Sequence, residues 1–214
     1  EFLKRHKEFD FVLNYGEIVN ETDLNHQLGI LKRTKPIGKD ELFKDLLDES
    51  NVVFGPGTIL VKTESLKKAI PDLDIYESRE GQNWQLMLPL AYCCRVGYLD
   101  EVLFKYVVHT DSHSHTKRTL EQEYKRRDNF YKLQCETIDK IGTMQKNEKE
   151  YWKNYALTRS ILTKYRMAIY YHNFPESVKK QSELKERGVK ILWKDGFLSH
   201  HFRIITRRIK EIIG

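Results

Sequence analysis

The pattern of apolar residues changes character near residue 115, and few architectures accommodate both halves. Before that point, short runs rich in β-branched and aromatic residues are broken by Gly and Pro, as in "FDFVLNYG" and "NVVFGPGTILV". After it, "TLEQEYKRRDNFYKLQCETIDKI" and "NEKEYWKNYALTRSILTKYRMAIYYHNF" run with helical spacing and no breaker. Charge changes at the same place. Residues 1–115 hold 14 Lys and Arg against 19 Asp and Glu, a net −5, whereas residues 116–214 hold 23 against 12, a net +11. The expectation is an α/β domain over 1–115 followed by a basic, mainly helical extension over 116–214.

Within the first part, residues 1–8 read as the last turns of a helix and "FDFVLNYG" as a strand ending on Gly16. Leu24, Leu28 and Leu31, then Leu42, Phe43, Leu46 and Leu47, have the spacing of two short helices around the loop "TKPIGKD". Two extended pieces flank Gly55-Pro56-Gly57, and Thr63 stands where an N-cap would open a helix over 64–70. "PDLDIYES" is a loop, "WQLMLPLAY" a helix with Pro89 inside it, and "VGYLDEVLFKYVV" a strand. Pro89 has no N–H, so it leaves the carbonyl of Gln85 without its helical donor. In the extension, Pro175 opens and Gly188 closes a helix, "VKILW" is a short strand or extended piece, and "SHHFRIITRRIKEIIG" is amphipathic, with Phe202, Ile205, Ile209 and Ile212 on one face.

The 214 residues are 40% apolar, 12% aromatic and 32% charged, the composition of a globular chain with a solvated surface. No stretch approaches the roughly 18 apolar residues of a spanning helix. Three cysteines, two of them the neighbours Cys93 and Cys94, make a poor disulfide set and point to thiols in a reducing compartment. The first residues lack an initiator Met and a signal-like core, so the chain is expected to begin partway through something longer.

"FGPGTILVKTESLKKA", "REGQNWQLMLPLAY" and "VGYLDEVLFKYVVHTDSHS" occur in the order in which a bacterial family-2 glycosyltransferase arranges its acceptor-side half, and residues 1–115 resemble that half. The family has a small-residue strand–turn–helix, then Gly-Glu-Asp-aromatic-x-Leu-x-Leu, then a Gly-Tyr strand leading to a His-containing loop. Here the second reads Gly81-Gln82-Asn83-Trp84-Gln85-Leu86-Met87-Leu88 and the third runs from Gly97-Tyr98-Leu99 to Tyr106, with His109 following. The resemblance implies part of a GT-A type sheet with flanking helices. It also implies an inverting enzyme that moves a sugar from a nucleotide-sugar to a saccharide or lipid-linked acceptor, in making capsule, surface polysaccharide or lipopolysaccharide. Mg²⁺ or Mn²⁺ is implied for the complete enzyme, held on the diphosphate by an Asp-x-Asp motif N-terminal to the matched segment. Asp72-Leu73-Asp74 spells that motif in the wrong place, after a helix, and reads as a surface loop.

The departure lies at the base. Where the resemblance places the proton-accepting Asp, this chain has Asn83, whose amide has no useful basicity at neutral pH. Three readings stay open. Glu80, a turn away, is the base; or Gln82 and Asn83 orient the acceptor and the proton leaves to a residue elsewhere; or the whole stretch caps a helix, with Ser78 or Asn83 as cap and Trp84 entering the core. Candidate catalytic residues are thus Glu80 and Asn83. Candidate binding residues are Gly55 and Gly57, where the backbone can be approached closely, Gln82, Trp84 for stacking on a sugar ring, and His109 near the diphosphate. The Gly-Pro-Gly stretch is equally readable as a tight turn, Trp84 as core and His109 as solvated. His113 and His115 lack a third metal ligand at suitable spacing, and Lys117 and Arg118 fit either a diphosphate or a helix start.

The extension lies outside the resemblance. Its basic residues are scattered among acidic ones with no recognition motif, which argues against nucleic acid. The segment 199–213 has the faces of a helix lying on an anionic membrane, and equally those of a helix packed on the extension. With the thiols and the resemblance, the expected location is the cytoplasm, and the membrane reading of 199–213 would add a peripheral contact at the inner face of the cell membrane. The rival class is a non-catalytic helical interaction or nucleic-acid-binding module attached to a degenerate transferase half.

Overall fold

The computed structural model describes residues 1–33, 41–53, 55–78, 80, 81, 83–109 and 118–191. It is a mixed α/β chain: a four-strand sheet in which antiparallel pairs predominate, followed by a three-helix C-terminal region. A helical turn, α1 (Phe2–Arg5), leads into β1 (Phe11–Asn20), which forms a hairpin with β2 (Asp23–Leu31). Then come α2 (Glu41–Asp48), a 3₁₀ turn (Pro56–Thr58), β3 (Ile59–Val61) and α3 (Thr63–Ala69). The helix α4 (Trp84–Cys93) and the strand β4 (Val96–Val108) complete the sheet region.

The strand β1 is the spine. β4 runs parallel along its whole length, from Phe11 opposite Val96 to Asn20 opposite Val108. The other edge is shared: β3 pairs antiparallel with Phe11, Val12 and Leu13, and β2 with Gly16 to Asn20. Phe11, Val12 and Leu13 are all buried, as an apolar run in a covered strand should be. Asp10 ties the start of these strands together. Its Oδ2 accepts the Arg95 N–H at 2.7 Å, its Oδ1 the Ser65 hydroxyl at 2.9 Å, and its backbone carbonyl the Lys62 N–H at 3.0 Å.

One side chain sets how closely the strands approach the turn at Gly55. Phe104 of β4 lies against three glycines from two segments, Gly16 of β1 and Gly55 and Gly57 of the turn before β3. A Cβ at Gly57 would fall 2.0 Å from its ring, one at Gly16 3.0 Å, and one at Gly55 3.4 Å. The first is far inside van der Waals contact, so Gly57 is there for space. Thr58 locks the turn, its hydroxyl donating to the Gly55 carbonyl at 2.6 Å.

Several expectations are corrected. Residues 23–31 form a strand where leucine spacing predicted a helix, because a spacing of four returns to one face in either structure. Leu24 and Leu28 stay about half exposed, so no core rewards a helix there, while β1 offers a ladder. The hairpin tip is shaped by polar side chains: Asn20 Oδ1 accepts the Thr22 N–H and Asp23 Oδ1 the Asn25 N–H. β1 continues past Gly16 to Asn20. Lys62, still extended and bonded to Asp10, precedes α3, so Thr63 is its first residue and not its cap. Asn51 to Val53 are not a strand, and neither are Val189 to Ile191.

The C-terminal region contains α5 (Leu120–Lys140), α6 (Lys146–Tyr170) and α7 (Phe174–Glu186). The chain divides into two compact units, one of residues 1–117 and 132–153, the other of 118–131 and 154–214. In the first, Phe43 of α2 meets the rings of Tyr92 and Trp152, and Tyr92 donates to Glu148 at 2.7 Å. In the second, Ile161, Leu162, Tyr165, Ile169 and Leu184 form a core against which Val189 and Ile191 pack. Asn173 caps α7 by accepting the Glu176 N–H, and Gly188, at φ +72°, lets Val189 bond back to Leu184. Several basic side chains of this unit have internal partners: Arg126 and Arg127 lie over Phe130, and Lys164 pairs with Asp128. The segment 199–213, with its membrane reading, falls outside the described residues. Among the described residues no helix is long and apolar enough to cross a membrane.

Burial opposes ionisation of Asp10, but the Arg95 N–H, the Ser65 hydroxyl and the nearby Lys68 and Lys62 outweigh it and hold the carboxyl below its ordinary range. A lowered folded pKa stabilises above the unfolded value, about 4, and that contribution is lost as pH falls through the folded value. Asp10→Asn is expected to lower the urea midpoint at pH 7, with the gap to wild type closing in acid. A gap that stays constant below about pH 3 would contradict this.

Candidate functional site

The segment with the most hydrogen-bonding capacity, residues 80–85, is built around the first turn of α4. Gly81 takes φ +57°, a conformation that strains residues with a Cβ, and a Cβ there would also meet the Trp84 ring at 2.5 Å. The chain therefore folds sharply over the indole before the helix begins. Trp84 is 4% exposed, and its Nε1–H donates to the Leu46 carbonyl of α2 at 3.0 Å. Its ring is enclosed and offers no face to a sugar. It acts as the bolt that joins α4 to α2.

Asn83 precedes the helix in an α conformation, and its side chain makes no capping hydrogen bond. Ser78 accepts the Glu80 N–H at 3.1 Å, which shapes the entry without capping α4. The capping account therefore explains Trp84 but not the amide of Asn83. Glu80 and Asn83 are half-buried at the entry. Gln82 lies outside the described residues. Gly55 and Gly57 are occupied with the Phe104 ring, the tight-turn reading in physical form.

His109 stands just past the end of β4, with Nδ1 2.7 Å from Glu21 Oε2 of the β1–β2 turn. It is five residues beyond Phe104, about 16 Å along an extended strand. The site residues thus fall into two groups. Glu80, Asn83 and Trp84 gather at the mouth of α4, and His109 marks the carboxyl ends of β1 and β4. Lys117, His113 and His115 are outside the described residues, and Arg118 accepts the Tyr171 hydroxyl on its carbonyl at 2.8 Å.

Asp72-Leu73-Asp74 is a loop, as its position after a helix predicts. Asp74 pairs with Lys140, and both aspartates line a cavity of about 80 Å³ together with Ile70, Gln85 and Pro89. Gln85 donates to the Tyr76 carbonyl at 3.1 Å. Among the described residues no three His, Cys, Asp or Glu side chains converge as a metal site.

Sequence reasoning missed a buried charge. Arg33 donates to Asp45 at 2.8 Å with its side chain 4% exposed, lies over the Tyr98 ring, and shares Asp45 with Asn51. Burial raises the Tyr98 phenol. No local pattern marks these residues, because their partners are distant in sequence. The three cysteines are free, and burial first, then Asp10, pushes the Cys94 thiol up to about 11, so it is an unreactive thiol at neutral pH. Compared with protein-family models, curated proteins and solved structures, the chain matches none.

Trp84→Phe removes the donor to Leu46 while keeping an aromatic ring. The expected loss is about 1–2 kcal/mol of unfolding free energy, read from a urea midpoint with helix content unchanged. An unchanged midpoint would show that the indole does not anchor α4.

Proposed function

We propose that this chain forms the acceptor-side part of an inverting, GT-A type glycosyltransferase acting on a saccharide or lipid-linked saccharide in bacterial surface polysaccharide synthesis. What supports the reading is that the segments resembling that family's, in its sequence order, lie in one compact unit: Gly55 and Gly57 lie against Phe104, while Gly81 and Trp84 shape the entry to α4. Such packing explains why those glycines and that aromatic stand where they do.

In this reading the acceptor hydroxyl lies at the mouth of α4. As its oxygen attacks the anomeric carbon, the bond to the diphosphate breaks and the hydroxyl proton passes to a carboxylate. Asn83 cannot take it, and Glu80 is the carboxylate at hand on the same turn. Asn83 then orients the acceptor through its amide. Trp84 serves by fixing the helix entry, not by stacking. His109 faces the diphosphate end, where Mg²⁺ or Mn²⁺ would stabilise the leaving group.

The test is donor hydrolysis and transfer by the protein encoded by the entire reading frame, with UDP-, dTDP- and GDP-sugars, with and without Mn²⁺. Glu80→Gln is expected to lower turnover about a hundredfold with little change in donor affinity, and Asn83→Asp to retain it. Absence of both nucleotide-sugar binding and turnover would remove the transferase reading. Full activity in Glu80→Gln would remove Glu80 as the base.

A further inference from the structure

The cavity of about 80 Å³ beside Asp72-Leu73-Asp74 is walled by three segments of the first compact unit: the loop after α3, the helix α4 and the end of α5. Its chemistry is lopsided. Asp72 is exposed and makes no hydrogen bond or ion pair among the described residues. Thr137 has spent its hydroxyl hydrogen on the Leu133 carbonyl at 2.8 Å, so only its lone pairs remain. Gln85, 3% exposed, donates through Nε2 to the Tyr76 carbonyl at 3.1 Å, and its Oε1 is buried without a partner. Pro89 has no N–H to give. Of the lining side chains only Lys140 carries positive charge, and Asp74 holds it.

Two carboxylates against one ammonium leave the cavity an excess of negative charge, and a buried acceptor with no donor is costly until something completes it. Ile70, Ile75 and Pro89 supply apolar walls. A bare metal ion fits such a place poorly. No three His, Cys, Asp or Glu side chains converge there among the described residues, and hydrocarbon cannot replace the oxygen ligands of a hard cation. Carboxylates beside hydrocarbon match a cation on a short aliphatic stem. The volume has room for about five water-sized groups, the length of a butylammonium chain.

We propose that this cavity binds a primary alkylammonium group of about four carbons, with Asp72 as its counter-ion, Gln85 Oε1 accepting from it, and Ile70, Ile75 and Pro89 against its stem. Lys140 is the precedent within the chain, since it already brings an ammonium on a four-carbon stem to Asp74. Both partners of that pair are well exposed, 43% and 66%, so solvent screens it and a second ammonium competes for the same carboxylate. Nothing in this site depends on the chain being a transferase.

Methyl-resolved ¹H–¹³C spectra of the full chain read the site through Ile70 and Ile75. n-Butylammonium is expected to shift both methyls saturably, with a Kd of about millimolar order, and 1-butanol, its neutral isostere, to bind about tenfold more weakly. Asp72→Asn, at an exposed position, is expected to weaken n-butylammonium about tenfold while the rest of the spectrum stays in place. Lys140→Met, which frees Asp74, is expected to strengthen it about threefold. A free amine and a lysine side chain of a partner protein present the same group, so 1,4-diaminobutane is compared with Nα-acetyl-lysine N-methylamide. Tighter binding of the first supports the site with a free amine as its ligand, and tighter binding of the second supports it with a lysine side chain. Shifts that never saturate, equal binding of 1-butanol, or an affinity indifferent to Asp72→Asn overturns the proposal.

Discussion

The strand β1 is hydrogen-bonded on both edges, and the fit of the Phe104 ring against Gly16, Gly55 and Gly57 fixes how its neighbours close upon it. Gly16 is the register partner of Phe104 on β4, whereas Gly55 and Gly57 belong to the turn before β3. A single phenyl ring thus sets the separation of a parallel pair and of the turn beside it. Asp10 performs the complementary task at the other end, where its carboxylate and backbone bind β4 and the approach to α3. Between these two points the sheet has little freedom to shift register, since a one-residue slip would move each side chain to the wrong face.

This rigidity is what positions the candidate site. α4 starts where Gly81 bends the chain over Trp84, and the indole N–H holds that start to α2. Asn83 therefore directly precedes an anchored helix, the kind of entry that the proposed acceptor site would require. The residue best suited by type to stack on a sugar is instead the one that anchors the helix. His109 belongs to the other end of the molecule's ladder, held by Glu21 at the strand ends.

How much of this was legible depends on whether the deciding partner was near in sequence. β1, α2, α4, β4 and the three long helices followed from local periodicity and from Pro175 and Gly188 at the boundaries of α7. β2 did not, because Leu24 and Leu28 repeat at a spacing common to a helix face and a strand face, and only β1 decides between them. The Gly-Pro-Gly signal was visible, but its cause, a ring on a strand far along the chain, was not. The same holds for Asp10 with Arg95 and Ser65, for Arg33 with Asp45 and Tyr98, and for Trp84 with the Leu46 carbonyl. Each is a pairing of distant residues that no local pattern announces. The pairing of Glu21 with His109 had a signal only in retrospect: both follow directly on strand ends.

The most direct test of the account is a double-mutant cycle on the ring and its glycine. Gly57→Ala should cost about 2 kcal/mol of unfolding free energy in the wild-type background, from overpacking against Phe104. In a Phe104→Ala background the same substitution should cost less than about 0.5 kcal/mol, since the space it needs is then open. An equal cost in both backgrounds would mean that Gly57 answers to something other than the ring, and the sheet would have lost its organising contact.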